Sequence, residues 1–341
     1  MHQLFQFQQK LVPDLIKKME DRYSILKTIA SVEPVGRRAL ASHLKRTERQ
    51  IRSEIEFLDE HGLVKVTSKG MFVTTDGREI IDGYHQILRE GSDLNLMEQQ
   101  LKQQLPIKQV KIVPGNADES KEVKQLLGKQ AAKLLMDSFQ PESIVTVTGG
   151  STTAAVGDYL KPVDQIHPLF VPARGGLGDL HEYQANSICV KMAERTNGQY
   201  RLLYVPDEID EELHVRMQQE PTIHEVLQLL NRADIVIHGI GDALTMARRR
   251  KSSENTMKQI EKNGAVGESF GYYFDKNGKT VHRVNSLGIS LEHLANINKV
   301  ITVAGGLSKG EAISAYLKWG QSDVLVIDEA IARHLLAIYI N

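Results

Sequence analysis

A chain of 341 residues, 41% apolar and 25% charged, is globular in composition and long for one domain, so about two are expected. No run of about 18 apolar residues is present, the opening Met1–Lys10 lacks the basic-then-apolar order of a secretion signal, and the single cysteine, Cys189, has neither a disulfide partner nor CxxC spacing; a membrane span is excluded and a reducing cytoplasm is expected. The net charge of −1 argues against a general polyanion binder, and 6% aromatics with one Trp against a base-stacking RNA module, but residues 1–90 carry 15 Lys/Arg against 13 Asp/Glu while 91–341 carry 27 against 30.

Ile25, Leu26 and Ile29 give helical spacing before Ser31-Val32-Glu33-Pro34, where proline ends the run. Gly36 precedes a short predicted helix, Arg37 to Leu44, with Leu40, Ala41 and Leu44 inward. Lys45-Arg46 makes a turn, and Thr47 is a good N-cap for a helix reaching about His61. There Ile51, Ile55 and Leu58 form one buried stripe, and Gly62 suits the position after the helix end. Geometry then turns Arg46, Thr47, Arg49, Gln50, Arg52 and Ser53 outward near the helix start. A helix-turn-helix reads bases with that part of its second helix. Arg can bond guanine edges and Gln adenine, while Lys45 and the hydroxyls suit phosphates. Leu63–Thr67 and Met71–Thr74 alternate around Ser68-Lys69-Gly70, as in a hairpin wing, and Thr75 or Asp76 is expected to cap a further helix. A three-helix core with a basic face and a wing predicts a winged helix-turn-helix that binds DNA; a protein-docking winged helix is the alternative.

From Ile80 to Leu105 the pattern stays helical, and Leu94, Met97, Leu101 and Leu105 recur at a 3/4 spacing. This stripe is either a linker packed in a dimer or a helix packed on its own domain. The expected division is 1–90, the DNA-binding domain with its linker helix, and 91–341, an effector domain. In that second part, apolar runs alternate with helices: Gln109–Val113, Ile144–Thr148, Leu169–Pro172, Leu202–Val205, Ile235–Gly239, Val300–Val303 and Val324–Ile327 are the predicted strands. Helices are predicted at Lys121–Phe139, Ala185–Thr196, Thr222–Arg232, Lys309–Trp319 and Glu329–Leu336, which implies a doubly wound, mostly parallel α/β sheet. Gly271–Val281 interrupts the rhythm with an Asn277-Gly278 hairpin turn.

Four strands run into glycine turns: Gly149-Gly150-Ser151-Thr152, Arg174-Gly175-Gly176, Gly239-Ile240-Gly241-Asp242 and Gly305-Gly306-Leu307-Ser308-Lys309. Open α/β sheets bind ligands at this edge, where glycine lets backbone approach a phosphate and a helix start offers free N–H groups. A phosphorylated ligand is expected, although tight strand-to-helix turns use glycine anyway. The loops match neither GxGxxG nor GxxxxGK[ST], so no nucleotide cofactor is expected. One of Arg248-Arg249-Arg250 is a candidate ligand clamp, with helix-end charge as the bland reading. Glu268 could accept sugar hydroxyls or act as a base, and His238, after an apolar strand, reads as a satisfied core residue.

The motifs Glu33–Arg38, Val147–Thr152, Phe170–Gly178, Gln184–Asn186, His238–Gly241, Phe270–Phe274 and Val303–Gly306 together resemble the SorC family of sugar-responsive bacterial regulators, over nearly the whole chain. The effector domain of that family is Rossmann-like and similar to glucosamine-6-phosphate deaminases and ribose-5-phosphate isomerases. The resemblance implies a repressor of a glycolytic operon induced by fructose 1,6-bisphosphate; a homodimer or homotetramer is expected separately, because winged-helix operators usually contain paired half-sites. The resemblance further implies that Gly150, Ser151 and Thr152 bind one phosphate with help from Lys309. Arg174 and Arg249 would serve the other phosphate or the sugar oxygens, and Glu268 the hydroxyls. The rival is a sugar-phosphate isomerase or deaminase carrying an accessory DNA-binding domain. It is disfavoured because the deaminases have a Gly-His pair soon after the strand-GIG-Asp turn, where this chain reads Asp242-Ala243-Leu244-Thr245; Asp242 could be a base, but its acid partner is missing.

Overall fold

The computed structural model describes residues 11–81, 83, 93–177 and 180–339. The chain divides into two compact units, Met1–Asn95 and Leu96–Asn341. The first holds α1 (Pro13–Val32), α2 (Arg37–His43), α3 (Glu48–Glu60) and a hairpin of β1 (Val64–Thr67) with β2 (Gly70–Val73). Proline at the start of α1 costs no hydrogen bond, because that N–H has no intrahelical partner. Ile25, Leu26 and Ile29 meet Leu40, Ala41, Ile51, Ile55 and Leu58 in one core, closed by Val64, Met71 and Val73. Each large apolar side chain so buried stabilises the unit by about 1.5–3 kcal/mol. Val35 joins the hairpin edge: its N–H donates to Met71 O at 3.3 Å and its carbonyl accepts from Met71 N–H at 2.9 Å. At the end of α3, Gly62 takes φ +70°, a conformation that strains other residues.

Residues 75–81 are helical again. Thr74 caps them, rather than Thr75 or Asp76, its Oγ1 accepting from Gly77 N–H at 3.1 Å. The strand ends at Val73, so the first residue off it is free to cap. Much of the expected helix from Ile80 to Leu105 lies outside the described residues, as does the expected boundary at Gly91. The helix reappears as α4 (Leu94–Gln104), and Leu94, Met97, Leu101 and Leu105 are all buried within the chain. That stripe is therefore not an open seam for a partner.

The second unit is built on seven parallel strands in the order β3 (Gln109–Val113), β13 (Val324–Asp328), β12 (Lys299–Val303), β7 (Ile235–His238), β4 (Ile144–Val147), β5 (Leu169–Pro172) and β6 (Gln199–Tyr200). Alternate residues feed two cores: Val145, Val147, Ile235, Ile237, Ile301 and Val303 pack in one layer, and Ile144, Val236 and Val300 in the other. The first layer includes α5 (Lys121–Met136), α6 (Ser151–Asp158) and α7 (Ala185–Thr196); the second includes α9 (Pro221–Asn231), with α8 (Glu211–Gln218) packed on α9. From β4 the chain winds outward through β5 and β6, then returns to β7 and winds the other way through β12 and β13. The winding reverses between β4 and β7, and such switch points leave a crevice beyond the strand ends.

One predicted strand fails. Leu202–Val205 leaves the sheet after the two-residue β6, although Leu203 and Val205 are buried. The Asn186 side chain takes the place of a neighbouring strand, its Nδ2 donating to Leu203 O at 3.1 Å and its Oδ1 accepting from Leu203 N–H at 3.2 Å. Lys309 does not open an α-helix; it lies in a 3-10 turn, Leu307–Lys309, before α13 (Gly310–Trp319). The predicted hairpin is present as β10 (Tyr272–Asp275) and β11 (Thr280–Arg283), inside an antiparallel sheet with β8 (Gly241–Asp242) and β9 (Ala265–Ser269). Between β8 and β9 run α10 (Ala243–Arg249) and α11 (Glu254–Lys262); α12 (Leu291–Ala295) precedes β12, and α14 (Glu329–Tyr339) ends the described chain. No helix among the described residues is long and apolar enough to cross a membrane.

Candidate functional site

Two surfaces carry the residues singled out in the sequence. On the first unit, a capping box opens α3: Gln50 N–H donates to Thr47 Oγ1 at 3.4 Å, and Gln50 Oε1 accepts from Thr47 N–H at 3.1 Å and from Thr47 Oγ1 at 2.9 Å. Lys45, at φ +51°, turns the chain between α2 and α3 and is exposed. Thr47, Arg49, Gln50, Arg52 and Ser53 are exposed too, and the stripe of Ile51, Ile55 and Leu58 is buried beneath them. Arg46 departs from the expectation. It is half-buried and ion-paired with Asp21, so its guanidinium braces α1 against the turn before α3 rather than standing free.

On the second unit, a cavity of about 430 Å³ sits where the winding reverses. Its wall includes the turn after β4 (Gly149 to Thr153), the turn after β7 (Gly239 to Asp242), and Arg174, Arg249, Glu268 and Lys309. Three of the four glycine turns thus converge. The fourth contributes only Ser308 and Lys309. Gly305 and Gly306 do not line the cavity: Gly306 N–H donates to Asp328 at 2.7 Å, and a Cβ on Gly305 would lie 3.0 Å from the same carboxylate. Asp328 thus holds that turn against the strand end, and its backbone is not offered to a ligand. The expectation for these two glycines is corrected accordingly.

One end of the cavity is cationic. Gly150, at φ +131°, delivers the chain into α6, whose first N–H groups have no helical acceptor. A Cβ on Gly149 would stand 2.8 Å from the Tyr183 carbonyl oxygen, so the approach needs glycine. Thr152 is buried at the helix start, and Lys124 of α5 donates to Ser151 Oγ at 3.3 Å. Across from them, burial and the Lys124 charge lower the Lys309 ammonium below its ordinary value; Arg249 adds to this, against Asp118 and Asp328. Positive charges crowded around a helix N-terminus make a place for an anion.

The other end is charge-balanced. Arg174 Nε stands 2.5 Å from Asp207 Oδ1, and Arg250 bonds Asp207 at 2.7 Å, Glu268 at 2.9 Å and the Tyr273 hydroxyl at 2.8 Å. For Arg250, burial opposes the charge, but Glu268 and Asp207 outweigh it and raise the group above its ordinary value. For Arg174, burial dominates despite Asp207, and the group is held below its ordinary value. Both guanidinium groups stay charged. Arg174 is the under-compensated one, and its buried Nη1 has no hydrogen-bond partner among the described residues, standing 3.7 Å from Glu268. Gly271, at φ +83°, leaves room for that guanidinium, which a Cβ there would strike.

Sequence reasoning missed Asp207, Gln184 and Lys124, and it did not separate Arg250 from its two neighbours. Asp207 and Gln184 line the cavity from loops with no periodic signal, and Arg250 was one of three equivalent arginines. His238 is fully buried, its ring nitrogens within reach of Thr302 at 2.8 Å, Tyr316 at 3.0 Å and Ser269 at 3.2 Å, so it is a core residue. Asp242 lines the cavity and caps α10 with one carboxylate oxygen, Oδ1, which accepts from Thr245 N–H at 2.8 Å. Among the described residues no cluster of His, Cys, Asp or Glu could hold a metal.

Comparison with known proteins assigns a domain family to each part of the chain. The Sugar-bind family of sugar-binding domains matches residues 90–337, and the CggR N-terminal DNA-binding domain matches residues 18–88. The chain is 43% identical over 337 residues to the central glycolytic genes regulator of Bacillus subtilis (strain 168), covering 98% of this chain and 99% of that one. A SorC-family transcriptional regulator from Enterococcus faecalis superposes with a TM-score of 0.67 at 40% identity, over 71% of this chain and 99% of that one. The full-length sorbitol operon regulator SorC of Klebsiella pneumoniae, 21% identical, shares the fold with a TM-score of 0.67 over 89% of this chain and 94% of its own. These relatives are transcription regulators, not enzymes.

Proposed function

Because the chain belongs to the SorC family of transcriptional regulators, with a DNA-binding domain followed by a sugar-binding domain, we propose that it represses a glycolytic operon in the bacterial cytoplasm and that fructose 1,6-bisphosphate relieves the repression. The observation that carries this reading is the two-ended cavity, cationic at the α6 start, which suits a phosphate, and polar but neutral around Arg174, Arg250, Asp207 and Glu268, which suits sugar oxygens; the second phosphate rests on the family resemblance. In this reading Gly150, Ser151, Thr152 and Lys309 take one phosphate. Arg174 and Arg249 take the second phosphate or the ring oxygens, and Glu268 accepts sugar hydroxyls. Lys45, Thr47, Arg49, Gln50, Arg52 and Ser53 meet operator DNA, and domains of 1–90 and 91–341 divide the two tasks. The sugar stabilises one state of the effector domain over another, which changes DNA affinity by linkage. A homodimer or homotetramer suits paired half-sites.

The test is a thermal-shift panel of mono- and bisphosphorylated hexoses, pentoses and trioses, on the wild type and on Lys309→Ala. Fructose 1,6-bisphosphate at 100 times its dissociation constant is expected to stabilise the wild type by about 2.7 kcal/mol. Lys309→Ala should lose most of that shift yet bind operator DNA as before. A panel in which another sugar phosphate gives the largest shift replaces the proposed inducer, and an unchanged response in Lys309→Ala removes the cationic end from the site.

A further inference from the structure

Lys124 has no part in the reading of the sequence, yet its placement is hard to explain without an anion. It stands at the end of the first turn of α5, half-buried, and its Nζ donates to Ser151 Oγ at 3.3 Å. No carboxylate pairs with it among the described residues, whereas Asp118 is spent on Ser308, accepting from its N–H at 2.7 Å and its hydroxyl at 2.9 Å, and Asp328 on Gly306. Lys309 is a close electrostatic neighbour, its ammonium lowered below the ordinary value by burial first and by the Lys124 charge second. Asp118 and Asp328 offset part of the repulsion between the two lysines, and an anion at the α6 start would offset more of it. The Ser151 hydroxyl links the lysines to the ligand position. Its oxygen accepts from Lys124, so its own hydrogen remains to be donated, and donation strengthens when the oxygen is already hydrogen-bonded.

We infer that Lys124 is a further binding residue of the phosphate end, bracketing a phosphate dianion opposite Lys309 and reaching it across the Ser151 hydroxyl. The inference rests on the proposed sugar-phosphate site and adds to it a cation that stands behind the cavity wall, joined to it through Ser151.

The test measures binding of inorganic phosphate and of fructose 1,6-bisphosphate to the full chain by titration calorimetry. Lys124→Gln is expected to weaken both about tenfold or more, the effect of losing one charge-assisted hydrogen bond. Lys124→Arg should restore affinity to within about threefold, because it returns the charge. Lys133→Gln, exposed on the same helix, should bind as the wild type does. Unliganded melting of each variant checks the fold, and Lys124→Met, which keeps the aliphatic stem, serves if Lys124→Gln melts early. Wild-type affinity in Lys124→Gln or Lys124→Met overturns the inference while leaving the sugar-phosphate site intact. Absence of any phosphate response in the wild type overturns both together.

Discussion

Asp207 shows how much one side chain can hold in a site it was never suspected of joining. Its two carboxylate oxygens meet Arg174 at 2.5 Å and Arg250 at 2.7 Å, and all three side chains are nearly sealed from solvent. Removing it leaves two buried cations facing Glu268 alone. Asp207→Ala is therefore expected to lower the stability of the sugar-binding unit by about 3–5 kcal/mol, read as a fall in its denaturant midpoint at pH 7. A loss under about 1 kcal/mol would show that water compensates the arginines and that the pairing is not structural. The sequence pointed to Arg174 and Glu268 through motifs adjoining strand ends. Asp207 had no such marker, because Pro206-Asp207 follows a segment that is buried without being a strand. Only the fold brings it beneath two arginines that are 33 and 43 residues away in sequence.

At the scale of elements, periodicity found the parallel strands because each is buried on both faces and reads as an apolar run. It failed at Leu202–Val205, where a side-chain amide from α7 stands in for a strand and leaves the apolar pattern unchanged. It was also silent on β8, two residues long, and on β9, whose Gly267-Glu268-Ser269 looks like a loop. His238 is where these elements meet: it belongs to β7, and its ring contacts β9 through Ser269, β12 through Thr302 and α13 through Tyr316. Burial pushes its imidazole down to about 4 from an ordinary 6.5, with the Gly239 carbonyl opposing. Between those values the unfolded chain binds a proton that the folded chain does not, so stability rises with pH across the window and is lost as pH falls through it. The contribution lost from pH 6.5 to 4 is expected to be at most about 3 kcal/mol. A melting series over that range should show it, and His238→Gln should flatten that part of the curve. An equally steep decline in the variant assigns the acid sensitivity to other groups.

For the whole molecule, the near-neutral net charge hides a division of labour. Six basic residues fall between Arg37 and Arg52 with Glu48 as the only acid, and the structure leaves Arg49 and Arg52 exposed on one helix face. Replacing both by Ala is expected to weaken operator binding by about tenfold or more and to lower its salt dependence, as read by fluorescence anisotropy at several salt concentrations. Stabilisation by sugar phosphate should be unaffected, since the cavity lies wholly within the second unit. Loss of both responses would point to misfolding rather than to a missing contact with DNA.

If the exposed face of α3 meets operator DNA as proposed, the closed ring formed by Thr47 and Gln50 limits what that face can say to a base pair. Both lone pairs of the Gln50 carbonyl are engaged by Thr47, so only the amide hydrogens are left to face outward. A base met by them must offer acceptors, as guanine does with N7 and O6 or thymine with O4; two-point reading of adenine needs the carbonyl as well. Adenine at that position therefore has to be read at the expense of the cap, at about 1 kcal/mol. Sequence preference there and fraying of the helix start become a single equilibrium.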